Sequence, residues 1–318
     1  MTKVISVFNS KGGCAKTTTT VNLAYNLTKQ NKKVLVVDFD PQNNASILTN
    51  IYNGQLGYID DPIDGDKNIG SLIFPYIMNG KTETFTPNEI KKAIYHPVYS
   101  TNKQRKNSQG KYIVGAWEET EEDFGFDVLA SIGMDLSLCE LAFSVPNSYI
   151  SSHLDSSRVL LKSIIEIIKD NFDYDFILID CCPSLGILNM NALTASDFLL
   201  IPSTMDYLAV SGIRQTIQRL EDIKKYVSNF KVLGVVCQLF STRRQADKVM
   251  YSVMNEELDL DDLAYVLETK IPETAEAKKS AIEGKLLSQK KNDKAALAYR
   301  ELTLEILDRI DELESGDK

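Results

Sequence analysis

No stretch of this 318-residue chain approaches the ~20 consecutive apolar residues that a bilayer-spanning helix needs. The apolar run nearest the N-terminus, Val4–Phe8, is too short for the core of a signal peptide. The five cysteines include the adjacent pair Cys181 and Cys182, and they form neither a disulfide framework nor a C-x-x-C metal pattern. That pair also has the wrong spacing for an iron–sulfur cluster shared symmetrically by two subunits. There is no internal repeat, and there is no room before Val4 for a helix-turn-helix. A reducing, cytoplasmic setting is the expectation. What remains is ordinary for a soluble globular protein: 43% hydrophobic and 25% charged residues, with a net charge of −9.

The most informative segment is Asn9-Ser10-Lys11-Gly12-Gly13-Cys14-Ala15-Lys16-Thr17-Thr18. It follows a short apolar run and precedes an amphipathic helical pattern. A strand, a Gly-containing turn, Lys-Thr and a helix make a phosphate-binding loop. Backbone amides of the turn and the positive end of the helix dipole converge on one point, which an anion neutralises. Lys16 is expected to reach the β- and γ-phosphates, and the Thr17 hydroxyl to face Mg²⁺. The two other motifs are strands ending in acid at the sheet edge where open α/β folds bind ligands. Val34-Leu35-Val36-Val37 leads to Asp38-Phe39-Asp40-Pro41-Gln42, and Phe176-Ile177-Leu178-Ile179 leads to Asp180. Asp180 is expected to act on Mg²⁺ through water.

Together these motifs resemble the deviant Walker A ATPases, the group that contains the ParA partition proteins and MinD. Lys11 resembles the signature lysine of that group. The similarity covers about residues 1–50 and 127–315, including Lys270-Ile271-Pro272-Glu273, which resembles the segment near the adenine. The resemblance implies a P-loop NTPase fold, ATP and Mg²⁺ as cofactors, and an ATP-dependent homodimer in which Lys11 reaches the facing subunit's phosphates. It also implies that Asp40 positions the attacking water and the water shell of the metal. Two positions depart from the pattern. Ala15 stands where Gly is usual, and a Cβ there resists either close approach to phosphate or the required torsion. Cys182 stands where Pro is usual.

Strands alternate with helical patterns, which predicts an α/β fold with a twisted, mostly parallel sheet covered by helices on both faces. Strands are expected at 3–8, 33–38, 127–130, 175–180, 197–202, 232–238 and 264–269. Helices are expected at 16–30, 68–79, 87–95, 154–170, 206–228, 242–257 and 292–314. The whole chain, 1–318, reads as one ATPase domain. The run at 99–125 is a polyampholyte and reads as a surface insertion, in which Tyr112 and Trp117 instead suggest a small partner-binding hairpin.

Between Glu276 and Arg300 seven basic residues outnumber three acidic ones. Lys278, Lys279 and Lys285, extended by Arg243 and Arg244, form a candidate surface for non-specific DNA binding, since phosphate contacts need only a local positive field. Sequence-specific DNA reading would then fall to a ParB-like centromere-binding partner, and the protein would associate with the nucleoid. The competing class is a MinD-like positioning ATPase acting on another surface, or a nucleotide-bound scaffold with weak turnover. The acidic C-terminal segment Glu305–Glu314 argues against a lipid surface.

Overall fold

The computed structural model describes residues 1–51, 67–79, 84–106, 112–132, 134–144, 159–184, 186–224, 230–259 and 264–316. The strands are β1 (Lys3–Val7), β2 (Val34–Phe39), β3 (Ile94–Tyr95), β4 (Val98–Lys106), β5 (Tyr112–Asp123), β6 (Asp127–Leu129), β7 (Phe176–Cys181), β8 (Phe198–Thr204), β9 (Lys231–Phe240) and β10 (Val266–Pro272). The helices are α1 (Lys16–Lys29), α2 (Asn44–Leu48), α3 (Ile69–Asn79), α4 (Pro87–Lys92), α5 (Asp135–Ser144), α6 (Leu160–Asn171), α7 (Ile187–Ala195), α8 (Tyr207–Lys224), α9 (Gln245–Asp259), α10 (Glu276–Ile282) and α11 (Lys294–Ser315).

Side chains alternate across a strand, so a strand apolar at every position must be covered on both faces. The inner strands obey this residue by residue. Leu35, Val37 and Phe39 of β2, with Ile177, Ile179 and Cys181 of β7, face one core. Val34 and Val36, with Phe176 and Leu178, face the other. The first core is closed by α3, α6, α7, α8 and α9 through Ile73, Ile164, Leu193, Ile217 and Met254. The second is closed by α1 and α11 through Leu23, Leu27, Tyr299, Leu302 and Ile306.

Eight strands form one sheet in the order β10-β9-β8-β1-β7-β2-β6-β3. Every pairing is parallel except β3 with β6. β1 lies between β7 and β8, so the loop leaving its carboxyl end is flanked by the ends of both neighbours. β10 is an edge strand, and the Glu305 carboxylate of α11 accepts hydrogen bonds from its Glu268 and Thr269 amides at 2.6 and 3.0 Å.

Two helical expectations change. The helix expected over 87–95 ends at Lys92, and Ile94–Tyr95 pairs with β6 instead. A Thr86–Glu89 capping box starts that helix, but Pro97 biases the chain just before it towards extended backbone. The polyampholyte run at 99–125 is an antiparallel β4–β5 hairpin, in register from Val98↔Asp123 to Gln104↔Trp117. The helix expected from 154 begins at Leu160, and residues 154–158 lie outside the described residues. Short helices at 44–48, 135–144 and 276–282 add to those expected.

Candidate nucleotide site

The loop between β1 and α1 is built by its own side chains. Asn9 donates from Nδ2 to the Pro202 carbonyl of β8 at 2.8 Å, and its Oδ1 accepts the Lys11 amide at 3.0 Å. Gly13 adopts φ +73°, a region favourable to glycine. Ala15, the N-cap of α1, is also left-handed, at φ 63° and ψ 33°. The missing glycine therefore matters through torsion: an L-residue pays about 1–2 kcal/mol in this region. The conformation is held from outside. The Ala15 carbonyl accepts both the amide and the hydroxyl of Thr19, at 2.9 and 2.7 Å. Thr19 Oγ1 accepts from Gln238 Nε2 of β9 at 3.0 Å, and the Tyr299 hydroxyl of α11 donates to Gln238 Oε1 at 3.2 Å.

Lys16 is buried, and its ammonium donates to the Asn9 and Lys11 carbonyls at 3.1 Å each. The charge is thus centred within the loop. Cys14 is 1% exposed, and burial raises its thiol pKa despite the opposing field of Lys16. It is a packed thiol rather than a reactive thiolate.

The acids gather beside this loop. Register pairs Asp38 directly with Asp180. Both are fully buried, and burial pushes Asp38 up to about 7 and Asp180 well above the usual carboxylate range. Asp38 accepts the Ser46 amide and hydroxyl at 2.8 and 2.7 Å. Thr20 Oγ1 donates to Asp180 Oδ1 at 3.4 Å, and the neighbouring Thr17 hydroxyl opposes the rise in its pKa. Asp180 Oδ2 has no hydrogen-bond partner although it is buried. A hydroxyl beside a carboxylate with an unused buried oxygen is a hard-oxygen set that fits hydrated Mg²⁺. Asp40 is 5% exposed and accepts the Gln42 amide at 2.9 Å. Burial raises its pKa, the Gln42 amide and Lys16 oppose that rise, and the charge of Glu140 adds to it.

Lys11 lies at the exposed mouth of the loop. Its ammonium contacts both carboxylate oxygens of Asp206, at 2.6 and 2.7 Å. Asp206 also accepts Thr204 Oγ1 at 2.6 Å and the Ala209 amide at 3.0 Å, starting α8. Burial alone would raise its pKa, but the bonds from Lys11, Thr204 and Ala209 leave it lowered. Asp206 was legible as an acid just beyond a buried strand, but nothing in the sequence marks it as the partner of Lys11. Asp38 was legible only as part of a motif, and its pairing with Asp180 requires the sheet register.

The structure divides the five basic residues. Arg243 and Lys278 line one opening of about 870 Å³ between the ends of β9 and β10, together with Lys270, Pro272 and Lys294. Lys279 pairs with Glu276 and Glu283, at 3.6 and 3.9 Å. Arg244 pairs with Asp247 and Glu273, at 3.2 and 3.3 Å. Lys285 does not line the opening. Lys294 belongs to the basic run between Glu276 and Arg300 but was not singled out in it, and Lys270 was expected only as part of the segment near the adenine.

Residues 2–232 match the family model described as AAA domain (AAA_31). An uncharacterized protein of Methanocaldococcus jannaschii is 30% identical over 96% of this chain and 99% of its own length. The sporulation initiation inhibitor protein Soj of Bacillus subtilis is 29% identical over 76% of this chain and 75% of its own. Among solved structures, cobyrinic acid a,c-diamide synthase of Mycobacterium smegmatis with ADP and magnesium superposes with a TM-score of 0.62. It is 25% identical, covering 100% of this chain and 98% of that one. The MinD protein of Pyrococcus horikoshii with Mg-ADP also gives 0.62, at 20% identity and 96% coverage of both chains. A glycine-containing loop set between β7 and β8, buried Lys16 and two acid-tipped strands beside it are what such a domain requires. The chain belongs to this AAA domain family and is a P-loop ATPase of the ParA/MinD type.

Proposed function

We propose that the chain is a DNA partition ATPase that binds Mg-ATP, closes into a face-to-face dimer and holds DNA without regard to sequence. The observation that carries this reading is Lys11, which stands at the mouth of the loop, where its own loop already has Lys16. A second lysine in that place has no phosphate of its own subunit left to neutralise, so it serves a facing one. The chromosome partitioning protein ParA of Myxococcus xanthus and the chromosome-partitioning ATPase Soj of Treponema pallidum, both among its relatives, support the reading.

In this scheme the amides of Gly12, Gly13, Cys14, Ala15, Lys16, Thr17 and Thr18 cradle the phosphates, and Lys16 adds the point charge. Thr17 and Asp180 hold hydrated Mg²⁺, which neutralises phosphate charge when bound. Asp40 orients the attacking water, and Pro272 lies against the base. Lys11 leaves Asp206 to reach the γ-phosphate of the facing subunit. Arg243 and Lys278, with Lys294, meet DNA phosphates; Lys279, Lys285 and Arg244 are secondary. A ParB-like, centromere-bound partner stimulates turnover and so releases DNA on the nucleoid in the cytoplasm.

The test separates binding from turnover. Lys16→Ala should lose tight ATP binding in a fluorescent-nucleotide titration. Asp40→Ala should bind ATP as the parent does and fail to release phosphate. Equal ATP affinity in Lys16→Ala, or full turnover by Asp40→Ala, would overturn the assignment.

A further inference from the structure

A fourth acid, Glu140, stands at the hydrolytic edge from outside the three nucleotide motifs. The chain leaves β7 directly after Asp180 and Cys181 and turns through Cys182, Pro183, Ser184 and Gly186 into α7. Two helices grip this turn. From α7, Asn189 Nδ2 donates to the Cys182 carbonyl at 2.8 Å and to the Ser184 carbonyl. From α5, Glu140 Oε1 accepts the Ser184 hydroxyl at 2.6 Å. Gly186 is open to that carboxylate: a Cβ there would stand 3.0 Å from Glu140 Oε1 and 3.4 Å from Ser184 Oγ.

The helix carrying Glu140 is itself closely set. A Cβ on Gly70 of α3 would lie 2.6 Å from Asp135 Cβ and 3.1 Å from the Leu136 amide, so the two helices meet with almost no gap. Upstream of α5, the Ser131 amide donates to Ser46 Oγ at 3.0 Å, and Ser46 in turn holds Asp38. The carboxylate of Glu140 therefore arrives on a fixed element at the same sheet edge as Asp40. Its field acts on both Asp40 and Cys182.

We infer that Glu140 is a positioning residue for ATP hydrolysis. By fixing the Ser184 hydroxyl it holds the turn after Asp180 at the edge where Asp40 stands, and it does so from outside the phosphate loop. A charge-assisted hydrogen bond to a carboxylate is among the stronger kinds. Its loss should slow the step that depends on the turn and leave binding to Lys16 and the loop amides alone. This inference rests on the ATPase reading.

Single-turnover and steady-state phosphate release by the full chain test it, beside fluorescent ATP binding and thermal melting. Glu140→Ala should lower kcat about tenfold with ATP affinity within twofold of the parent. Ser184→Ala should also lower kcat, and the double variant should fall short of the product of the two losses, because both singles remove the same Ser184–Glu140 hydrogen bond. Glu140→Gln keeps an acceptor oxygen for Ser184 and should recover most of kcat. Parental kcat in Glu140→Ala, additive losses in the double variant, or a loss matched by equal loss of ATP binding would overturn the inference alone. Absence of turnover by the parent would overturn the ATPase reading together with it.

Discussion

Ala15 concentrates the chemistry of the loop in one torsion. Its left-handed backbone is the conformation a glycine adopts freely, and Thr19, Gln238 and Tyr299 hold it there. Ala15→Gly should therefore raise ATP affinity or folding stability by on the order of 1 kcal/mol, less whatever flexibility Gly adds to the unfolded chain. Nucleotide titration and thermal melting of the two proteins check it. Unchanged values in both would mean that the surrounding bonds already absorb the strain. The residues of this loop were legible because they are contiguous: spacing alone places Lys16 and Thr17 at the start of α1. That Ala15 takes a left-handed torsion was not legible, because a sequence names the residue and not its φ.

At the scale of elements, α8 and the loop are joined by a single acid. Asp206 both accepts the Ala209 amide at the start of α8 and binds Lys11. Asp206→Ala removes a helix-capping acceptor, which is worth about 1 kcal/mol, and frees the ammonium of Lys11. The melting temperature should fall by a few degrees, while ATP-analogue-dependent dimers should form at lower protein concentration in analytical ultracentrifugation. A dimer no easier to form would show that the ion pair does not compete with the facing subunit. Elements were legible where apolar residues repeat with a clear period, as in β2, β7 and α6. The β4–β5 hairpin was legible only as the alternative that Tyr112 and Trp117 suggest, because its charge obscures it. Its strands carry β-forming residues such as Tyr99, Thr101, Tyr112, Ile113 and Val114, but the acids from Glu118 to Asp123 dominate the composition. Pairing places Lys103 opposite Glu118 and Thr101 opposite Thr120, a relation between distant residues that no local window contains. Glu140 escaped for the same reason: it lies about forty residues before the turn that it grips.

The whole molecule carries a net charge of −9, so DNA binding must come from a local field. Under the proposed reading that field is Arg243, Lys278 and Lys294 around one opening, which Glu273 and Glu301 also line. The triple change Arg243→Glu, Lys278→Glu and Lys294→Glu should abolish binding to arbitrary duplex DNA in the presence of ATP. In anisotropy across a salt series, partial replacements should flatten the plot of log affinity against log salt by about 0.9 for each DNA phosphate no longer neutralised. Lys279→Glu and Arg244→Glu should act more weakly, because neighbouring carboxylates already offset those charges. ATP affinity is measured beside DNA binding, because Pro272, assigned to the base, lines the same opening. A triple variant that binds DNA normally would move the surface elsewhere. A further consequence lies at the rim of the sheet. Glu305 occupies two amides of β10, and the opposite margin is the two-residue β3. Edges managed in this way offer a neighbouring copy little backbone to extend, which discourages fusion margin to margin into a fibre. Under the proposed reading, association is then left to the faces that a nucleotide joins, and is undone each time the nucleotide is spent.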